Sequence, residues 1–315
     1  MNNYLTLLLG VFCAGLGGEL FVRGVVGLAS WLRIAPGVIG ATVAAFATSS
    51  PEMAVSISAA LAEKPQIALG DALGSNIVNV AVILGVALLM SAIRAPRNDL
   101  RRDFPLAMLT PLLIGVLSLD GQISRFDGVF LMTVFVVWLV FVTRDAMSAR
   151  DTSDHDDVTD EVLGETNRAF VLWQNVGGLI LLIAAGHFIV TGAKGLASSW
   201  GWNEFVVGIT VVALATSTPE MATTLMARLR GHDEVGLGTL LGSNIFNLLL
   251  IIGVAATIAP IPVRPQEIAL SLGAGFLALL LAFPTRDGWI PRARGGFLLA
   301  VYGVYLWLIL RGGTN

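Results

Sequence analysis

One segment of this chain occurs twice, and the repetition constrains the fold more than any other feature of the sequence. Residues 38–87 and 206–255, aligned without gaps at an offset of 168, are identical at 26 of 50 positions. Each copy carries two polar motifs, Thr-Ser-x-Pro-Glu at 48–52 and 216–220 and Gly-x-x-x-Gly-Ser-Asn-x-x-Asn at 70–79 and 238–247. Two unrelated apolar segments would not share so many residues in register, so the chain is an internal duplication.

The composition predicts a polytopic membrane protein. Apolar residues make up 55% of the chain and charged residues 13%, about half of the roughly 25% that is usual in soluble domains. Apolar runs of about 20 residues, the length that crosses ~30 Å of hydrocarbon, recur along the whole sequence. We predict ten transmembrane helices, at 4–32, 37–61, 67–91, 103–119, 126–145, 169–198, 204–229, 235–258, 267–283 and 293–311.

The duplication divides these helices into two sets of five. Residues 1–145 form the first five-helix repeat, 146–168 an acidic cytoplasmic linker, and 169–315 the second repeat. Because five is odd, the two halves must enter the membrane from opposite sides, which predicts an all-α fold of two inverted repeats. Inverted repeats are typical of secondary transporters, whose sites lie near the bilayer midplane where the repeats meet.

Basic residues predict the orientation. Under the ten-helix topology thirteen of them lie on one side of the membrane and four, Lys64, Arg125, Arg264 and Arg311, on the other. The positive-inside rule places the larger group in the cytoplasm, so we expect both termini outside the cytoplasm and the protein in the cell inner membrane. The acidic linker is interpreted as a solvated tether. The alternative, a calcium sensor, lacks the glycine that an EF-hand loop requires at its sixth position.

Two glutamates inside apolar spans carry the chemistry. A charged side chain at the bilayer centre costs roughly 2.5–3.5 kcal/mol on insertion scales, so Glu52 and Glu220 need a bound cation or a proton. Pro51 and Pro219 precede them, and proline breaks the helical hydrogen bond to the carbonyl four residues back. In a membrane, broken backbone is tolerated only where protein or a water-filled cavity satisfies it. Carboxylate, hydroxyl and carbonyl oxygens at such a bend suit a hard cation such as Na⁺ or Ca²⁺.

The second motif supplies a partner surface for the bend. Glycines four residues apart let helices approach closely. Ser75 and Asn79 lie four residues apart on one helix face, as do Ser243 and Asn247. These faces present hydroxyl and amide oxygens rather than charge.

With these motifs, the chain resembles the sodium/calcium exchanger family, within the wider group of calcium/cation antiporters, and looks like a prokaryotic ten-helix member. The family's repeats read roughly Gly-Thr-Ser-x-Pro-Glu, then Gly-Asn-x-x-Gly-Ser-Asn-x-x-(Asn or Asp). The resemblance implies that Glu52 and Glu220 are the central acidic ligands of Ca²⁺ or Na⁺. It also implies oxygen ligands from the signature break, from the flanking sodium sites, from two backbone carbonyls and from a central polar ring: Thr48, Thr216, Ser49, Ser217, Ser75, Ser243, Ala45, Ala213, Asn79 and Asn247.

Three positions depart from the family pattern. Ala47 and Ala215 replace the leading glycine, which should stiffen the break. The asparagine after the next glycine is Asp71 in one half and Thr239 in the other. Asn247 occupies a position that is often aspartate, so the central ring has two carboxylates rather than three. Asp71, placed near the outer end of its helix, either lies on the ion path or faces water.

The function indicated is secondary active exchange of Na⁺ for Ca²⁺, by alternating access around the glutamate pair. One alternative is H⁺ coupling, because buried carboxyl groups can take up protons; another is a passive cation channel. The partners are then the lipid bilayer and inorganic cations. We expect no enzyme, because the histidines lie away from the repeated motif and no hydrolase constellation is present. We also expect no cofactor and, since no basic groove with interleaved aromatics is present, no nucleic acid.

Overall fold

The structure is a computed structural model that describes residues 2–31, 46, 48–95, 99–150, 168–229 and 233–312. The described part of the first half contains helices α1–α6, two π-helices and two short strands: α1 Asn3–Trp31, α2 Ser50–Leu61, α3 Pro65–Ile77, π-helix Val78–Leu84, α4 Gly85–Met90, β1 Ile93–Arg94, π-helix Asp99–Asp103, α5 Phe104–Leu117, β2 Gln122–Ile123 and α6 Arg125–Arg150. The second half contains the corresponding series: α7 Arg168–Trp200, α8 Glu204–Val207, π-helix Gly208–Val212, α9 Ala213–Thr216, α10 Thr218–Leu229, α11 Asp233–Ile245, π-helix Phe246–Ile251, α12 Ile252–Ile258, β3 Ile261–Pro262, α13 Pro265–Ala282, β4 Trp289–Ile290 and α14 Ala293–Gly312.

Six helices in the described ranges are long and apolar enough to cross a membrane, namely Pro65–Met90, Arg125–Arg144, Ala169–Trp200, Gly236–Ile258, Pro265–Ala282 and Ala293–Arg311. The mostly helical architecture and these apolar helices agree with the predicted class of membrane protein. The count of ten spans and their inverted arrangement stay predictions. Residues 151–167 of the predicted linker lie outside the described residues, while 146–150 continue helix α6 instead of leaving it.

Two helical rods form the centre of the molecule. In Pro65–Met90 and in Gly236–Ile258, 78% of the most apolar window is buried, against 22–28% in Arg125–Arg144, Pro265–Ala282 and Ala293–Arg311. The outer helices turn large apolar side chains outward, among them Phe126, Phe141 and Phe297. An apolar outer surface suits hydrocarbon, so the polar motifs in the central rods are shielded from lipid by the outer helices.

Small residues bring the central helices into backbone contact. A Cβ placed on Gly74 would lie 2.5 Å from the carbonyl oxygen of Ile209, and one on Gly70 would lie 2.6 Å from that of Phe205. The predicted close approach at this motif is therefore present in the first half, where α3 packs against the π-helix Gly208–Val212. At Gly238 an added Cβ would meet nothing within 4 Å; the counterpart of that π-helix, 40–44, lies outside the described residues.

Short strands tie the loops of the two halves together in a reciprocal pattern. β1 pairs antiparallel with β4, and β2 pairs antiparallel with β3. The offset of 168 relates β1 to β3 and maps β2 onto 290–291, which overlaps the end of β4. Each strand therefore pairs with the strand of the other half that is not its counterpart. Gly121 and Gly288 precede β2 and β4 in the left-handed conformation, at φ 89° and 81°, which glycine adopts without a Cβ clash. The two halves are thus joined by matching loop contacts.

Candidate cation-binding site

The helix breaks at the same place in both repeats. Ser217 has ψ 6°, far from the helical value of about −42°, and helix α10 restarts at the next residue. Ser49, with ψ 8°, precedes α2 in the same way. Each helix restarts with proline in its first turn, where the missing N–H needs no partner. The serine carbonyls accept the first bonds of the new helices, from Met53 at 3.1 Å and from Met221 at 3.1 Å. Both glutamates therefore begin a helix, in its first turn.

The two glutamates are buried at the contact between the halves. Glu52 and Glu220 are each 1% exposed. Glu220 Oε1 accepts a hydrogen bond from Ser243 Oγ in its own half at 3.4 Å and one from Ser49 Oγ of the other half at 3.5 Å. Glu52 and Glu220 also interact electrostatically with each other. The repeated motif therefore brings the carboxylates of both halves into one site.

Two pairs of hydroxyl groups, related by the repeat, are in contact across the interface between the halves. Thr48 Oγ1 lies 3.3 Å from Ser243 Oγ, and Thr216 Oγ1 lies 3.4 Å from Ser75 Oγ. The offset of 168 converts one pair into the other. All four side chains are buried, so each signature threonine of one half meets the serine that follows the glycine motif of the other half.

Four asparagines form a reciprocal amide network beside the carboxylates. Asn76 Nδ2 donates to the carbonyl oxygen of Asn244 at 2.9 Å, and Asn244 Nδ2 donates to that of Asn76 at 3.3 Å. Asn79 Nδ2 donates to Asn244 Oδ1, and Asn247 Nδ2 donates to Asn76 Oδ1, each at 3.0 Å. Asn79 and Asn247 are the predicted ring residues, whereas Asn76 and Asn244 received no role from the sequence. The feature of the sequence that could have identified Asn76 and Asn244 is that they recur at the same place in the duplicated motif.

The ring asparagines are carried by π-helical backbone. Asn79 lies in the π-helix Val78–Leu84, and Asn247 lies in the corresponding π-helix Phe246–Ile251. A π-helical turn closes its hydrogen bonds over one more residue than an α-helical turn and is frequent at functional sites. Here the π-helical backbone directs the side-chain amides of Asn79 and Asn247 toward the opposite half. The apolar periodicity of the sequence did not indicate π-helices at these positions.

Several buried oxygens of this site have no hydrogen-bond partner among the described residues. Those on predicted site residues are Glu52 Oε2, Glu220 Oε2, Ser217 Oγ, Asn79 Oδ1, Asn247 Oδ1 and Asp71 Oδ2. Ser56 Oγ and Thr224 Oγ1, one turn beyond the glutamates and again 168 residues apart, share this property. The sequence analysis missed both, although a hydroxyl recurs there in each repeat. Since buried oxygens are normally hydrogen-bonded, this convergence fits a site that offers oxygen ligands to a cation.

The donor set favours a hard cation over a transition metal. In the described part of the chain, no group of three or more His, Cys, Asp or Glu side chains is placed to hold a metal ion. Carboxylate, hydroxyl and amide oxygens are instead the ligands of hard cations such as Ca²⁺. Ala213 is buried, and its carbonyl oxygen accepts the amide of Ser217 at 3.0 Å. Ala45, the matching predicted ligand, lies outside the described residues.

Asp71 occupies the interior of the site rather than its rim. The sequence placed it near the outer end of its helix, and the reading in which it faces water is wrong, since it is 0% exposed. Its Oδ1 accepts hydrogen bonds from Thr216 at 2.9 Å and from Ser75 at 3.4 Å. Because α3 packs closely against the π-helix Gly208–Val212, a position far from Asn79 along the helix is enclosed by the other half.

Comparisons with known proteins identify a family for the chain. A sequence model described as "Sodium/calcium exchanger protein" matches residues 2–144 and 170–311. The chain is 35% identical to "Inner membrane protein YrbG" of Escherichia coli over 88% of this chain and 86% of that one, and 28% identical to "Sodium/calcium exchanger MaX1" of Methanosarcina acetivorans over 96% and 97%. A solved structure of "the sodium-calcium exchanger NCX_Mj", soaked with Na⁺ and Sr²⁺, is similar at a TM-score of 0.67 and 27% identity, covering 97% of each chain.

Proposed function

The chain belongs to the sodium/calcium exchanger family, and from this premise we propose that it is a secondary antiporter that exchanges Na⁺ for Ca²⁺ around Glu52 and Glu220. One observation carries the proposal: both carboxylates are buried at the contact between the halves, and each keeps an oxygen without a hydrogen-bond partner in the described residues. Two buried carboxylates whose oxygens remain available match the charge of one Ca²⁺.

Exchange follows from competition for shared oxygens. The glutamate pair neutralises one Ca²⁺, and Thr48 and Thr216 add hydroxyl oxygens on either side. Na⁺ ions bound at the same carboxylates and at flanking hydroxyls, including Ser75 and Ser243, would displace Ca²⁺. An empty site leaves two carboxylates uncompensated in a low-dielectric interior, which is costly. The protein would therefore change its access only when loaded with one cation or the other, and this requirement couples the two fluxes.

The ten-helix inverted topology is part of the same proposal. The strand pairs support it, because each joins loops that the basic residues place on one side of the membrane: β1 and β4 on the side with more arginines, and β2 and β3 on the other. Under the positive-inside rule the first pair is cytoplasmic and both termini are outside. The similarity to a bacterial inner membrane protein supports placement in that membrane.

The test is radioactive calcium uptake into liposomes that contain the purified protein. Na⁺-loaded liposomes are diluted into Na⁺-free buffer, and uptake is compared with that of Glu52→Gln and Glu220→Gln. These changes remove charge with little change of shape. Glu63→Gln is the matched control, because Glu63 is an exposed turn residue outside the site. We expect uptake that requires the Na⁺ gradient, that survives in Glu63→Gln, and that is lost in both site variants.

Three results would contradict this proposal in different ways. Uptake driven by an H⁺ gradient without Na⁺ would make the protein an H⁺-coupled exchanger. Flux that needs no counter-ion gradient would make it a passive channel. Normal exchange in folded Glu52→Gln and Glu220→Gln proteins would show that the cation is bound elsewhere.

A further inference from the structure

We propose that Asp71 is a third acidic residue that binds a transported ion, and that with Ser75 and Thr216 it forms an anionic subsite for Na⁺ beside the glutamate pair. The proposal rests on the proposed function and adds a residue to its site. The sequence left Asp71 either on the ion path or facing water, at a position where the family's pattern has a neutral asparagine. The argument therefore depends on this chain's own geometry.

Only one of the two carboxylate oxygens of Asp71 accepts hydrogen bonds from the described residues. Its Oδ1 accepts the hydroxyl of Thr216 at 2.9 Å and lies 3.4 Å from that of Ser75. Its Oδ2 is buried and has no hydrogen-bond partner among the described residues. A buried carboxylate oxygen without a donor is costly unless a charge or a hydrogen bond compensates it. A cation at Oδ2 supplies that compensation.

The neighbouring oxygens are those of a monovalent site. Thr216 Oγ1 lies 3.2 Å from the carbonyl oxygen of Val212 and 3.4 Å from that of Ala213. Ser217 Oγ, next in the chain, has no hydrogen-bond partner within the part of the chain that the structure describes. One carboxylate among hydroxyl and carbonyl oxygens balances a single positive charge. The glutamate pair, with two carboxylates, balances Ca²⁺. Since no three acidic groups converge as a single metal centre in the described residues, Asp71 serves a neighbouring subsite.

Asp71 is also a position at which the site departs from its two-fold pattern. The threonine–serine pairs and the asparagine network recur across the halves, but the counterpart of Asp71 is Thr239. Asp71 interacts electrostatically with both Glu52 and Glu220. The chain therefore carries three interacting carboxylates, although Asn247 is neutral. The third charge lies on α3 of the first half, so only one of the two flanking subsites is anionic.

The experiment measures Na⁺ binding and Ca²⁺ exchange in Asp71→Asn and Asp71→Thr. Asparagine keeps an oxygen for Thr216 and removes only the charge. Threonine is the residue that the second repeat itself carries, so it preserves folding should asparagine disturb it. Asp120→Asn, at an exposed turn between α5 and β2, is the matched control. Binding is read from the Na⁺ concentration that half-maximally raises the melting temperature in detergent, because a ligand of the folded state stabilises it by mass action.

We expect half-saturating Na⁺ to rise at least about 10- to 100-fold in both variants, because removing even an outer-shell partner of a metal ligand costs that much. Asp120→Asn should match the natural protein. Unchanged Na⁺ dependence in the folded variants would overturn the role of Asp71. That failure is distinct from failure of the proposed function, which would appear as absence of Na⁺-driven Ca²⁺ uptake in the natural protein. A role confined to holding Thr216 in place would leave Asp71→Asn unaffected and would also refute the proposal.

Discussion

Removing the side chain of Asn76 tests whether the amide network holds the two halves together. Asn76 Nδ2 donates to the carbonyl oxygen of Asn244, and Asn76 Oδ1 accepts Asn247 Nδ2, at 2.9 and 3.0 Å. Asn76→Ala deletes both bonds. It leaves the amide of Asn247 without its acceptor in a position that is 1% exposed, where water cannot replace the lost partner.

The cost follows from these two bonds. Hydrogen bonds between transmembrane helices contribute on average roughly 0.6 kcal/mol, with a maximum near 1.7, because the unfolded chain in the membrane also finds partners. Two such bonds give about 1–3 kcal/mol. We expect Asn76→Ala to lower the free energy of unfolding by an amount in the upper half of this range, since a buried donor left unpaired costs roughly 1–3 kcal/mol by itself. By the two-fold relation, Asn244→Ala should cost a similar amount, because it loses its bonds to Asn76 and Asn79.

The assay is reversible unfolding in mixed micelles, titrated with a denaturing detergent. The double variant Asn76→Ala/Asn247→Ala completes a mutant cycle, and we expect a coupling energy of about 0.6–1.7 kcal/mol between the two side chains. The dependence of stability on ions should change as well, because Asn76 orients the amide of Asn247, whose Oδ1 has no hydrogen-bond partner among the described residues. A folded Asn76→Ala protein with unaltered unfolding energy and no coupling to Asn247 would refute this account of the network.

Two further predictions concern topology and packing. In a Cys13→Ser background, Asp120→Cys and Asp287→Cys lie at exposed turns that correspond across the repeats, so a membrane-impermeant thiol reagent should label the first from outside and the second only after lysis; labelling of both from one side would contradict the inverted arrangement. Gly74→Leu should destabilise the fold by at least about 1–3 kcal/mol in the same detergent titration, because its side chain would overlap the backbone of Ile209. Gly273→Leu, where an added Cβ meets nothing within 4 Å, should be close to neutral, and equal effects of the two would show that the close approach is not required.

The location of the site could be predicted from the duplicated motif, because the effect of the motif on the backbone is local and can be inferred within each repeat alone. Proline before glutamate in an apolar segment implies a broken helix and a buried charge whatever the rest of the chain does. The structure accordingly has its helix breaks at Ser49 and Ser217 and buries both Glu52 and Glu220. Residue identity at matched positions was sufficient for this part of the prediction.

The contacts between the two halves could not be predicted from the sequence, for a physical reason. Helical spacing tells which residues share a face, but not which face of another helix they meet or how far along it. Asp71 illustrates the limit, since its distance from Asn79 along the helix suggested the rim. The close packing that Gly70 and Gly74 allow encloses it instead. The exchange of amides between Asn76 and Asn244 likewise depends on the relative position of two rods, which no single repeat specifies.

The reciprocal contacts and the one-sided charge of Asp71 are consistent with one requirement. Alternating access in an inverted-repeat transporter moves one part of the protein against another around a fixed site, and bonds made in matched pairs keep that site centred between the halves. The acidic residues need not recur in both halves, because the number of carboxylates is set by the charge of the ions that the site binds. Two glutamates related by the repeat suit one divalent ion that lies between the halves. A monovalent ion at one flanking subsite is balanced by a single carboxylate, so that carboxylate can belong to one half only, as Asp71 does while its counterpart Thr239 is neutral.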